Sequence, residues 1–105
     1  MVRVRVEVPK ERIASFCDHW MITELALFGS VLRDDFTDDS DVDVLATFAP
    51  AARWNLFDLA EMREELMRIF GREVDLVSRR GLEASRNYLR RRAILSSTET
   101  IHVAG

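Results

Sequence analysis

The sequence predicts an α/β (α+β) fold, a small mixed β-sheet with helices packed mainly on one face. Three observations carry this. Short β-like runs recur at 24–28 (ELALF), 41–48 (DVDVLATF) and 73–78 (EVDLVS), and segments of helical spacing separate them. No internal repeat, low-complexity tract or Gly/Ser/Pro linker interrupts the chain. Its 105 residues supply one hydrophobic core and not two, so residues 1–105 are expected to form a single domain.

Val2, Val4, Val6 and Val8 alternate with charge, so residues 1–8 suit an N-terminal strand or an extended arm. Pro9 fits the first turn of a helix, in which Ile13, Phe16, Cys17 and Trp20 share a face. The strand at Glu24–Phe28 ends on Gly29-Ser30, and a short helix is expected from Val31. An Asp/Thr/Ser-rich loop then leads to a strand at Asp41–Phe48. From Trp54 to Phe70, a stripe of Leu56, Leu59, Met62, Leu66, Ile69 and Phe70 predicts a helix closed by Gly71. A third strand follows at Glu73–Ser78, then one basic helix over Leu82–Leu95, then an edge strand at Thr100–Val103.

Composition excludes several classes. Hydrophobic residues make up 48% and charged residues 31%, the balance of a soluble globular chain. No apolar run nears the roughly 20 residues that span a bilayer, and MVRVRVEVPKE lacks the continuous apolar stretch of a secretion signal, so a cytoplasmic protein is expected. A net charge of −3 argues against broad, direct nucleic-acid binding. The single cysteine, Cys17, makes no internal disulfide and reads as core filler. His19 and His102 lack metal-ligand spacing. Trp20 and Trp54 read as core or partner-contact residues rather than base-stacking platforms.

The charge is distributed in blocks. Residues 34–43 hold six aspartates and residues 79–92 six arginines against one Glu. Most of the acidic block (Asp34, Asp35, Asp38, Asp39) reads as solvated or capping residues. Arg79, Arg80, Arg90, Arg91 and Arg92 suit phosphate, an acidic partner surface or a plain solvated face.

Chemistry is expected where a strand ends in Gly29-Ser30 and the next begins with Asp41-Val42-Asp43. Glycine lets a backbone approach a phosphate, and a serine hydroxyl can donate to its oxygens. Residues two apart on a strand share a face, so Asp41 and Asp43 project together, their Cα atoms roughly 6–7 Å apart, and can share magnesium ions. If the Glu73–Ser78 strand lies alongside, Asp75 completes a carboxylate triad of the kind that serves in-line phosphoryl displacement.

LALFGSVLRDDFTDDSDVDVLATF resembles the Gly-Ser…Asp-x-Asp motif of the DNA polymerase β-type nucleotidyltransferase superfamily. EVDLVS, RNYLRRRAIL and the short length resemble its smallest branch, the MNT-domain proteins. The likeness covers the chain from about Pro9 onward. It implies an antitoxin paired with a HEPN-domain ribonuclease toxin, some members of the branch transferring AMP from ATP to a tyrosine of the toxin. It further implies that Gly29, Ser30 and Arg33 bind nucleotide and that Asp41, Asp43 and Asp75 are the catalytic carboxylates and Mg2+ ligands, with Asp75 the base. One departure is that many relatives read GSxARG where this chain has Leu32-Arg33-Asp34. Ser40 before the Asp-x-Asp is usual and shapes the turn into the strand. Two alternatives stay open beside protein adenylylation: an antitoxin that neutralises by binding alone, and transfer to a small molecule such as an aminoglycoside.

Overall fold

The structure, a computed structural model, describes residues 6–104. Pro9 sets the start of α1 (Lys10–His19), which buries Ile13, Phe16 and Cys17. The helix stops at Trp20, and Met21 turns the chain with φ 58°, the left-handed conformation that a glycine more often supplies. β1 (Ile22–Phe28) follows and runs directly into a single 3-10 turn at Gly29–Leu32. The short helix expected from Val31 is thus this turn, begun two residues earlier. Val31 is buried in the core, so the turn is fixed by packing as well as by hydrogen bonds.

β2 spans Val42–Phe48, one residue shorter than expected, and α2 spans Leu56–Phe70. Asn55 and Asp58 form a reciprocal capping box that starts α2 after Trp54, and Gly71 closes it at φ 69°. β3 (Val74–Ser78) is next. The sheet order is β3-β2-β1-β4, with β4 spanning Thr98–Val103. β1 is antiparallel to both β2 and β4, whereas β2 and β3 are parallel, the pairing that requires α2 as a crossover.

One expectation is corrected. The segment read as one helix over Leu82–Leu95 is two, α3 (Arg79–Glu83) and α4 (Tyr88–Leu95). Side chains that compete for backbone groups break it. The Ser85 hydroxyl accepts from Asn87 N–H at 3.1 Å, and Asn87 Oδ1 accepts from Arg90 N–H at 3.0 Å and so caps α4. Ser78 does the same for α3, accepting from Gly81 N–H. The strand or arm expected at 1–8 falls mostly on residues 1–5, outside the described residues. Val6–Val8 carry no strand, and Val6 and Val8 pack on the core.

Alternation divides the sheet. Leu25, Leu27, Val42, Val44, Ala46 and Val74 meet Met62, Leu66, Ile13, Phe16 and Cys17 beneath α1 and α2. Truncating a core residue such as Leu66 to Ala costs about 2–5 kcal/mol. Trp20 and Trp54 belong to this side, their rings edge-to-face at 5.1 Å. Both indole N–H groups are satisfied, one by Glu65 and one by the Trp20 carbonyl. The opposite face carries a smaller cluster, in which Phe28 of β1 and Leu45 of β2 meet Leu82 of α3 and Ile94 of α4. The two long helices therefore cover one face, and the two short ones leave part of the other open. Among the described residues, no helix is long and apolar enough to cross a membrane.

Candidate active site

The strand register sets three residues in one row. Phe28 on β1 faces Asp43 on β2, and Asp43 faces Asp75 on β3. Adjacent strands lie about 4.8 Å apart, so the two carboxylates leave the sheet as neighbours on its less covered face. Gly29 follows Phe28 with φ 74°. A Cβ there would run into Asp43 Oδ2, so any other residue would have to displace that carboxylate as well as take a left-handed backbone.

A cleft of about 450 Å³ opens at this end of the sheet, and Gly29, Ser30, Arg33, Asp43 and Asp75 all line it. Five of the six site residues expected from sequence thus come together. Asp41 does not line this cleft. It lies just before β2, exposed, on a separate groove with Asp38, Asp39, Arg72 and Glu73. Arg90 of α4 lines the cleft as well, with its guanidinium 3.9 Å from Asp75. Sequence reasoning left Arg90 unassigned in a basic segment, because nothing in RNYLRRR sets it apart from Arg91 and Arg92. Arg33 is exposed and pairs with Asp35 at 3.2 Å.

The electrostatics are anionic. Burial, first, and then the charges of Asp75 and Asp41 push the Asp43 carboxyl above the usual range, while Arg33 and Arg90 pull the other way. Among the described residues, no group of three or more His, Cys, Asp or Glu side chains converges into a ready coordination shell. The donor set still suits a hard divalent cation. It consists of carboxylate oxygens, with mutual repulsion that a cation would relieve, beside a backbone stripped of its Cβ. A tighter cavity of about 280 Å³ lies beyond the other ends of β2 and β3, lined by Thr47, Trp54, Ser78 and Arg79; its single carboxylate, Glu83, makes it unsuited to this chemistry.

Residues 10–100 match the family profile described as Nucleotidyltransferase domain. The chain belongs to that family. It is similar to the protein adenylyltransferase MntA of Thermococcus cleftensis, at 35% identity over 63 residues, which is 60% of this chain and 62% of that protein. The chain spans less than two thirds of the first curated relatives it matches, 65% and 62% of their lengths. A solved toxin–antitoxin structure with AMP-PNP superposes with a TM-score of 0.69 at 17% identity, covering 91% of this chain and 74% of that one. A complex of tri-AMPylated Shewanella oneidensis HEPN toxin with MNT antitoxin gives 0.62 at 18%, covering 90% and 70%. At those identities the likeness is one of fold.

Proposed function

We propose that this chain is a magnesium-dependent protein adenylyltransferase, active in the cytoplasm, which moves AMP from ATP to a tyrosine hydroxyl of a cognate HEPN-domain toxin and thereby acts as its antitoxin. The meeting of Gly29, Asp43 and Asp75 at one cleft, in a chain of this family, carries the reading. The relatives named for protein adenylylation and the toxin–antitoxin complexes of like fold point to the acceptor.

In this reading the Gly29 backbone and the Ser30 hydroxyl take the triphosphate, and Arg33 and Arg90 supply countercharge. Asp41 and Asp43, with Asp75, would hold Mg2+. When bound, that ion supplies charge neutralisation for the triphosphate and the leaving pyrophosphate. Asp75 accepts the proton of the acceptor hydroxyl. The acceptor oxygen forms its bond to the α-phosphorus as the bond from that phosphorus to the pyrophosphate oxygen breaks. The new phosphodiester adds negative charge where a ribonuclease holds its substrate's phosphates, and so blocks it by repulsion as well as bulk.

One observation favours a second reading, neutralisation by contact alone: the carboxylates do not already enclose a cation site among the described residues. Mass spectrometry separates the two. A HEPN partner incubated with ATP, Mg2+ and this protein should gain mass in AMP steps and stay inactive after the protein is stripped away. The Asp41→Asn/Asp43→Asn double mutant should fold yet neither modify the partner nor protect cells that express it. Full protection by that mutant, with no mass change on the partner, would overturn the catalytic reading.

A further inference from the structure

The nine residues between the 3-10 turn and β2 are rich in aspartate and mostly exposed, and they end at Asp41. Such a segment repels itself and is expected to be poorly ordered unless something ties it down. Arg72, at the corner between α2 and β3, does so. Its Nη1 donates to the carbonyls of both Thr37 and Ser40, each at 3.1 Å. Its guanidinium carbon lies 4.6 Å from the centre of the Phe36 ring. Within the loop, Ser40 Oγ accepts from Thr37 N–H at 3.0 Å, so the two residues that Arg72 holds are also tied to each other.

The consequence falls on Asp41. The carbonyl on its N-terminal side, that of Ser40, is held by Arg72. The amide on its C-terminal side, that of Val42, donates to the carbonyl of Glu73 at 2.9 Å. Two consecutive residues of the β3 lead-in therefore pin the backbone on both sides of Asp41, leaving its side-chain torsions as the freedom still to be lost on binding. The groove beside it is lined by Asp38, Asp39, Asp41 and Glu73, and Arg72 is the cation among its lining residues. A planar guanidinium can stack on Phe36 and donate to two carbonyls at once, which an ammonium cannot match.

We propose that Arg72 is a positioning residue for Asp41, clamping the acidic loop to the β2–β3 seam so that the Asp41 backbone, two residues ahead of Asp43, is already fixed when a cation arrives. The inference rests on the reading of Asp41 as a metal ligand. Arg72 itself does not line the cleft that holds Gly29, Asp43 and Asp75.

The test compares the parent with Arg72→Met, Arg72→Lys and Asp41→Asn, alone and combined, by amide hydrogen exchange and by Mn2+ binding followed by electron paramagnetic resonance with a non-hydrolysable ATP analogue. In Arg72→Met, amides of residues 37–42 should exchange about tenfold faster or more while those of β1 keep their protection. Mn2+ affinity should fall about 10–100-fold, the range seen when a ligand's supporting partner is removed. Arg72→Lys should recover only part of either loss. In the Asp41→Asn background, Arg72→Met should cost no further affinity, because the residue through which it acts is gone. Complete recovery by Lys would reduce the effect to charge and overturn the clamp, as would an undiminished loss in the Asp41→Asn background or unchanged exchange at 37–42. If Arg72→Met fails to fold, Arg72→Lys carries the same comparisons. A parent that binds no Mn2+ sinks the metal reading of the site, and the exchange rates then judge the clamp by themselves.

Discussion

Gly29 and Asp43 stand so close across the β1–β2 ladder that a Cβ on the glycine would occupy the place of Asp43 Oδ2. The glycine also sits at φ 74°, so two separate penalties meet at one position. Gly71 offers the control, since it has φ 69° with nothing within 4 Å of a built Cβ. Gly71→Ala should therefore lose only the left-handed backbone preference, about 1–2 kcal/mol. Gly29→Ala should lose more than this and weaken nucleotide binding too. Urea unfolding paired with nucleotide titration checks both, and equal losses at the two glycines would show that the contact with Asp43 is immaterial.

The raised Asp43 carboxyl makes a prediction whose sign is opposite to that of an ordinary surface aspartate. Burial, first, and the neighbouring charges of Asp75 and Asp41 lift its folded-state value above that of an ordinary aspartate. The native state then binds the proton more tightly than the unfolded chain, so ionisation of Asp43 works against folding. Its contribution is fully present below the unfolded value and is lost as pH rises through the folded one. Asp43→Asn should consequently melt above the parent at neutral pH, and the gap should close as pH falls below about 4. Mg2+ with nucleotide should reverse the order, adding about 2.7 kcal/mol to the parent at a hundredfold excess over Kd and nothing comparable to the mutant. Differential scanning calorimetry with and without ligand reads both halves. A mutant less stable than the parent at pH 7 without ligand would overturn the electrostatic account of Asp43.

Strand alternation made much of this frame readable. Val42, Val44 and Ala46 face one way while Asp43 and Leu45 face the other, so placing the β2 strand was enough to place the carboxylate. Asp75 needed one further condition, that β3 lie beside β2, and the parallel register meets it by pairing Asp43 with Asp75. What stayed hidden depends on long-range contacts or on competing local ones. The break between α3 and α4 comes from Ser85 and Asn87 bonding to nearby backbone, in a segment whose basic face reads as one helix. Arg72 reads in sequence as one more charge after a helix, and its grip on residues 37 and 40 spans more than thirty positions. Asp41 was expected in the same strand as Asp43. It falls just ahead of the strand, where its backbone depends on that distant grip.

Cys17 should be chemically silent in the folded protein. It is fully buried beneath α1, and burial pushes its thiol up to about 12, so almost no thiolate exists near neutral pH. Alkylation by iodoacetamide should then proceed only through opening of the core and should accelerate together with urea-induced unfolding. Labelling monitored by intact mass decides this. Rapid modification at neutral pH without loss of structure would place the thiol at the surface and contradict the packing of α1 on the sheet.

Asp75 is the residue at which binding and chemistry should separate. Its side chain is half exposed, and its nearest cationic partner, Arg90, sits at 3.9 Å in an equally exposed pair. Such a pair contributes little to stability, about 0–1 kcal/mol, so Asp75→Asn should fold nearly as well as the parent. The proposed task of Asp75 is to take the acceptor's proton, a demand that arises only as the new bond forms. Asn keeps the shape and loses both the charge and the basicity. We expect kcat to fall by roughly 10²–10⁴, the usual contribution of a positioned general base, with nucleotide affinity changed far less. Lowered kcat with intact nucleotide binding is the pattern of an interaction made mainly in the transition state. Arg90→Ala should do the reverse, weakening nucleotide binding more than the chemical step, if its guanidinium serves as countercharge for phosphate. Stopped-flow nucleotide binding and single-turnover transfer to the partner measure the two quantities independently. Collapse of nucleotide affinity in Asp75→Asn would instead make Asp75 a ligand of the cation that carries the nucleotide, and the proton acceptor would have to be one of the other carboxylates at the cleft.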